Sequence, residues 1–246
     1  NIYHNMYAEK DGMLFIKSGE NGMQNFRLPF GKDIKKGIDL LCEHCGGEDP
    51  VLWIQQGERF TEIESYIYEN YQLSEHRDAF DYIYLQSDLA NLSGKKYHSK
   101  RNHISSFSKQ YDWQYREITD DNINDVLEYA EKWYKENADR YDKYMQCEHE
   151  GIKTILQNMQ ALNVKGGAIY VDGKVVAFTL GSPINDEVFD VHIEKALREY
   201  ATAYTVINNE FVKTLVDYKY INREDDMGLE GLRKAKLSYK PEILLK

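Results

Sequence analysis

No run of apolar residues in this 246-residue chain approaches the roughly 18–20 that would span a bilayer. The start lacks the basic, apolar and small-residue order of a secretory leader. It opens on Asn1 rather than Met, and its first half reads as truncated at the start. Cysteine is scarce: three residues, an odd number, argue against a secreted disulfide framework and for a reducing, cytoplasmic compartment. Basic residues are outnumbered, 31 against 41 acidic, for a net charge of −10. That balance disfavours a protein that coats nucleic acid by neutralising phosphates, while leaving room for a local basic site. A Walker-type lysine loop, paired glycosidase-like carboxylates and a Ser/His/Asp order are missing too, so a covalent enzyme intermediate is not expected.

With 42% hydrophobic residues and 20 tyrosines the chain can bury a core, and its length suits one large domain or two of about 120 residues. Apolar runs at 14–16, 26–30, 51–55 and 82–85 read as strands, with helical patterns at 33–45 and 58–70 between them. The pair Cys42 and Cys45, with Cys147 and His149, resembles two halves of a zinc site. However, Ile38, Leu41, Cys42 and Cys45 form one apolar helix face, where free cysteine packs as a small hydrophobe. No metal is expected.

The second half is more regular. A strand at 113–118 precedes a helix at 120–138, which turns Ile123, Val126, Leu127, Ala130, Trp133 and Tyr134 inward. Ile152, Ile155, Leu156, Met159 and Leu162 define another helix. Asp172-Gly173, between strands at 168–171 and 175–180, supplies the positive φ angles of a type I′ hairpin. A strand at 188–193, a helix at 201–217, a strand at 218–221, a helix at 229–237 and a strand at 242–245 complete an α/β (α+β) order.

From Leu89 to Tyr111 there is no acidic residue. Ser93 can cap a helix there, with Tyr97, Ile104, Phe107 and Tyr111 on one face. Lys95, Lys96, Lys100 and Arg101 then form either a solvated basic face or a docking strip for an anionic carrier such as tRNA.

Two stretches carry the functional signal. FDVHIEKALREYATAYTVINNEF (189–211) reads as a strand, a turn of small residues and a helix, which can offer free backbone N–H groups to a phosphate. YINREDDMGLEGLRKAKLSYKP (220–241) reads as a short strand, an acidic loop and a basic helix. The order resembles the GNAT acyltransferase fold, whose phosphate-binding turn, Arg/Gln-x-x-Gly-x-Gly/Ala, aligns with Arg198-Glu-Tyr-Ala201-Thr-Ala203. An alanine replaces the first glycine. Lys236-Leu-Ser-Tyr239-Lys-Pro resembles that family's closing turn, and the position of its usual tyrosine acid falls at Lys234. LSGKKYHSKRNHISSF, FDVHIEKA, INNEF and the last stretch together resemble soluble relatives of the lysylphosphatidylglycerol synthetase C-terminal domain, which share two GNAT-like halves with Fem-type aminoacyltransferases.

The resemblance implies two GNAT-like half-domains, at 1–92 and 112–246, joined by a basic linking helix at 93–111. It further implies direct acyl or aminoacyl transfer to an amine or hydroxyl. The donor is acyl-CoA (coenzyme A) or aminoacyl-tRNA, placed along Val191, Ile193, Arg198, Ala201, Thr202, Ala203, Tyr204 and Lys234.

Read from the residues themselves, Asp190, His192 and Glu194 share one strand face by alternation, as a paired sheet face or a cleft wall. His192, with an ordinary pKa of about 6.5, suits a general base oriented by Glu194 or Asp190. Asn208 on the next helix either reaches the cleft mouth or fills an amphipathic pattern. Glu224, Asp225 and Asp226 crowd one loop, either to start a helix or to bind an ammonium group, with Glu224 the first candidate.

Overall fold

The computed structural model of the chain describes residues 5–19, 25–47, 50–137 and 143–246. They form two compact units, one ending at Glu75 and including Lys246, the other spanning His76–Leu245. Among the described residues there is no helix long and apolar enough to cross a membrane.

The first unit holds a four-stranded sheet in chain order: β1 (Met6–Lys10), β2 (Met13–Ser18), β3 (Asn25–Arg27) and β4 (Val51–Trp53). The helix α1 (Ile34–His44) is capped by the Asp33 carboxylate, which accepts from the Lys36 amide at 3.0 Å. Its apolar face buries Ile34, Ile38 and Leu41, with Cys42 and Cys45 packed beside them as the periodicity predicts. The predicted helix at 58–70 is broken into α2 (Glu58–Thr61) and α3 (Glu64–Asn70). Sequence pattern misses β1 because all five of its residues are exposed, so it has no apolar alternation to read.

The second unit is a seven-stranded sheet flanked by helices. Its strands are β5 (Asp81–Leu85), β6 (Trp113–Glu117), β7 (Lys165–Val171), β8 (Lys174–Pro183), β9 (Val188–Ala196), β10 (Tyr220–Asn222) and β11 (Ile243–Leu245), in the order β11-β5-β10-β9-β8-β7-β6. Neighbours are antiparallel except β9 and β10. Asp172 and Gly173 both take positive φ, and they close the β7–β8 hairpin as a two-residue turn.

The helices are α4 (Gln86–Asn91), α5 (His98–Gln110), α6 (Ile123–Glu136), α7 (Lys143–Gln157), α8 (Ala203–Lys213) and α9 (Glu230–Leu237). The predicted end of α6 at Ala138 lies outside the described residues. Along β7, Ala168 and Tyr170 pack with Val126, Ala130, Ile152 and Leu156 of α6 and α7. Ile169 and Val171 point the other way and pack with Phe107 of α5 and Val206 and Ile207 of α8.

Three expectations do not hold. The division falls at residue 75, not 92, because β5 forms backbone ladders with both β10 and β11 and so belongs to the larger sheet. Residues 93–111 likewise belong to the larger unit, with Phe107 fully buried there, and are not a linker. Ser93 is not the helix cap either. The chain turns through Leu92 and Gly94 at positive φ, forms a single 3₁₀ turn at Lys95–Tyr97, and only then enters α5.

Candidate active site

The parallel pair β9 and β10 is hydrogen-bonded over only three positions, Val188, Phe189 and Asp190 facing Tyr220, Ile221 and Asn222. Past Asn222 the chain stays with β5: the Arg223 amide donates to the Tyr82 carbonyl at 3.0 Å, and the Tyr82 amide to the Glu224 carbonyl at 3.2 Å. β9 instead runs on beside β8 to Ala196. The two strands therefore part at their carboxyl ends, the usual place for a ligand in an open α/β sheet.

A bulge shapes the β9 side of this opening. Leu180 of β8 faces Ile193 but Gly181 faces Val191, so His192 is the extra residue. A Cβ on Gly181 would lie 2.2 Å from the Asp190 carbonyl oxygen and 2.5 Å from the Phe189 ring, so only glycine fits beside the bulge. The bulge also ends the strict alternation on which Asp190, His192 and Glu194 were expected to share a face.

Asp190 and His192 do converge, whereas Glu194 turns to Asn208 of α8 (3.2 Å) and Arg223 (2.9 Å). His192 is gripped from three sides. Its Nε2 is 2.8 Å from Ser182 Oγ, and its Nδ1 is 3.1 Å from Glu224 Oε1 and 3.3 Å from Asp190 Oδ2. Hydrogen bonds to Asp190 and then Glu224 outweigh desolvation and push the imidazole up to about 9. At neutral pH it therefore holds its proton and can donate it, and it can serve as the expected general base only after that proton leaves.

Burial raises the Glu224 carboxyl, an effect that His192 only partly offsets. Glu224 adopts a left-handed backbone (φ 55°), and its amide donates to Asn222 Oδ1 at 2.8 Å. Asp190, His192 and Glu224 each offer one ligand atom, and these lie within 4.8 Å of one another, a spacing that could hold an ion. As described, Asp190 and Glu224 both face one ring nitrogen of His192.

Around this centre lies a buried set of cations that sequence reading did not assign. Arg223 pairs with Glu194, both side chains 11% exposed, and its guanidinium sits 5.0 Å from the Tyr239 ring centroid. Lys236 of α9 donates to the carbonyls of Arg223, Glu224 and Asp225, while burial, and then Arg223, brings its ammonium down to about 8. The acids of the loop are separated rather than left to repel. Asp226 is buried and accepts from Arg233 Nε at 2.8 Å and Tyr82 Oη at 2.6 Å, and the Arg233 bond above all holds its carboxyl well below the usual range.

The whole chain, residues 1–246, matches the family model described as phosphatidylglycerol lysyltransferase, C-terminal. The chain belongs to that lysyltransferase C-terminal family. A crystal structure of a conserved protein of unknown function from Bacteroides thetaiotaomicron is 39% identical, covers 99% of this chain and 84% of that one, and superposes with a TM-score of 0.87. The C-terminal domain of a putative lysylphosphatidylglycerol synthetase from Agrobacterium fabrum shares the fold at 14% identity and a TM-score of 0.65, covering 99% of this chain and 81% of that one. An uncharacterised protein of Mycoplasmoides gallisepticum is 26% identical over 178 residues, 70% of this chain. That match spans 56% of the Mycoplasmoides protein, little more than half its length.

Within this lysyltransferase-type fold the expected donor residues are scattered in role. Arg198 lies in a 3₁₀ turn ahead of α8 and donates to Asn137 Oδ1 at 3.0 Å. Ala201 is in ordinary right-handed helical backbone (φ −55°, ψ −29°), so alanine replaces the family glycine without strain. Thr202 precedes α8 and makes no side-chain cap bond. Val191 and Ala203 are buried in the core, Ile193 packs against it and Tyr204 packs beside α5, so a ligand there would meet mainly backbone. Lys234 is exposed on α9, and the buried lysine of that helix is Lys236.

Three of the four cations expected to dock tRNA have internal partners. Lys96 pairs with Asp88 at 2.7 Å, and Arg101 donates to the carbonyls of Leu92 and Gly94. Lys100 donates to Ser238 Oγ at 2.6 Å above the Tyr239 ring. Ser182, Arg223 and Lys236 were missed because no spacing in the chain marks them. Their partners lie 10 or more residues away, and the contacts form only when the strands pair.

Proposed function

We propose that the protein moves an activated acyl or aminoacyl group, from acyl-CoA or aminoacyl-tRNA, to an amine or hydroxyl acceptor where β9 and β10 part. The observation that carries this reading is His192, held as an imidazolium by Asp190 and Glu224 at the mouth of that opening. In its simplest form the acceptor nitrogen docks on Glu224 and attacks the donor carbonyl carbon directly. Glu224 takes the proton from the acceptor, the bond to the donor oxygen or sulfur breaks, and His192 gives its proton to that leaving atom. The turn before α8, with Arg198 and the amides of Ala201, Thr202 and Ala203, would receive the donor phosphates. Membership of a lysyltransferase family favours an aminoacyl donor. The internal pairing of Lys96, Lys100 and Arg101 leaves Lys95 as the one cation of that set with no partner described above.

Titration calorimetry with CoA, acetyl-CoA and a charged-tRNA mimic tests the reading, followed by transfer from whichever donor binds to a panel of amines. Binding lost in Arg198→Ala, with turnover lost in His192→Gln, supports it. Binding without turnover would make the protein a donor-binding scaffold, and binding of none of the three would overturn the reading.

A further inference from the structure

We propose that Ser182 is a nucleophile at this centre, so that the protein forms an acyl-serine and passes its acyl group to an acceptor amine or to water. This rests on the acyl-transfer reading and changes its route from direct attack to a covalent relay. The geometry is a serine–histidine–carboxylate chain. Ser182 Oγ lies 2.8 Å from His192 Nε2, and the other ring nitrogen is 3.1 Å from Glu224 and 3.3 Å from Asp190. A hydroxyl and an imidazole within hydrogen-bond reach, with a third group orienting the imidazole, is the arrangement that activates serine on unrelated folds.

The sequence shows no such order, because the three members come from β8, β9 and the loop after β10. Ser182 pairs directly with Asp190 across the β8–β9 ladder, and the bulge moves His192 out of that ladder. Two members therefore stand on strands of one sheet, which hold a side chain more precisely than loops do. Ser182 is half-buried, and its residue neighbours Gly181, whose lack of a Cβ permits the bulge.

The chemistry balances without a co-reactant beyond the ester. Ser182 Oγ bonds to the acyl carbon, and its proton passes to His192 Nε2. The bond to the leaving alkoxide then breaks, and His192 returns the proton to that oxygen. Water or an acceptor amine next attacks the acyl-serine with His192 again taking the proton, and the serine hydroxyl is regenerated.

The step needs a neutral imidazole. The groups acting on it are Asp190 on β9, Glu224 after β10 and the Ser182 hydroxyl on β8. Behind them, Asp81 of β5 acts on Asp190 and Lys236 of α9 on Glu224. An acceptor ammonium docking on Glu224 would remove one of the two carboxylates that keep the ring protonated.

The test is labelling of the intact chain with a fluorophosphonate, read by intact mass and peptide mapping, together with hydrolysis of p-nitrophenyl acetate. A single adduct on Ser182 is expected. Ser182→Ala should abolish the adduct, and His192→Gln should slow it by about 100-fold, each variant retaining a cooperative thermal transition. Folded protein that takes no adduct at high pH, or labelling at an unchanged rate in His192→Gln, would overturn the proposal. If Ser182→Ala carries an acyl group to an amine at the wild-type rate, the serine route fails while the transferase reading stands. Labelling at Ser182 in a protein that binds neither CoA nor the tRNA mimic would do the reverse.

Discussion

Glu224 reaches across the opening between the parallel strands and places Oε1 3.1 Å from His192 Nδ1, while Asp190 holds the same nitrogen from within β9. One imidazole facing two carboxylates ties the protonation of the site to the closure of the gap between β9 and the loop after β10.

The folded His192 is held up at about 9, above its ordinary value. Its contribution to stability is therefore complete below about pH 6.5 and is lost as pH rises through about 9. Glu224→Gln should move the His192 titration, followed by NMR of the ring C–H signals, part of the way down, with Asp190 still facing the ring, and reduce the change in stability over that window. A titration unmoved by the substitution would mean that Glu224 does not face the ring in solution.

Gly181→Ala should be costly. The new methyl would strike the Asp190 carbonyl oxygen, which is backbone and cannot swing aside, so the β8–β9 ladder must shift. A loss of about 3 kcal/mol in urea unfolding is expected, together with loss of the His192 shift as the bulge is displaced.

Lys236→Met keeps the apolar stem of the side chain but removes the donor that satisfies three successive carbonyls. The loop 223–226 should loosen, with about 2 kcal/mol of destabilisation and faster hydrogen exchange confined to that loop and the end of β10. Uniform protection in the variant would contradict a local role.

Asp226 should govern behaviour in acid. Its carboxyl is held low by Arg233 and Tyr82, so its contribution is present above about pH 4 and is lost as pH falls below that. Asp226→Ala, which removes the acceptor shared by the buried Tyr82 hydroxyl and the part-exposed Arg233, should destabilise the fold at neutral pH and remove that acid dependence in thermal scans.

Much of the architecture is legible in the chain itself because it is encoded locally. The one-sided apolar period of α1 and α6, the Asp172-Gly173 turn, and the passage from an alternating strand into a turn of small residues and then α8 all depend on neighbours within a few residues. The same signals single out Asp190, His192 and Glu224.

Tertiary structure decided what those groups do. β5 reads as part of the first half until its ladder with β10 and β11 draws it into the larger sheet. Alternation puts Glu194 beside His192, but a single extra residue in the register sends it to Arg223 and brings Ser182 to the ring instead. The three crowded acids of 224–226 look mutually repulsive until His192 and Arg233 take Glu224 and Asp226 apart. Each outcome turns on a partner distant in sequence, and the choice between partners is made by strand register and burial, which no local pattern specifies.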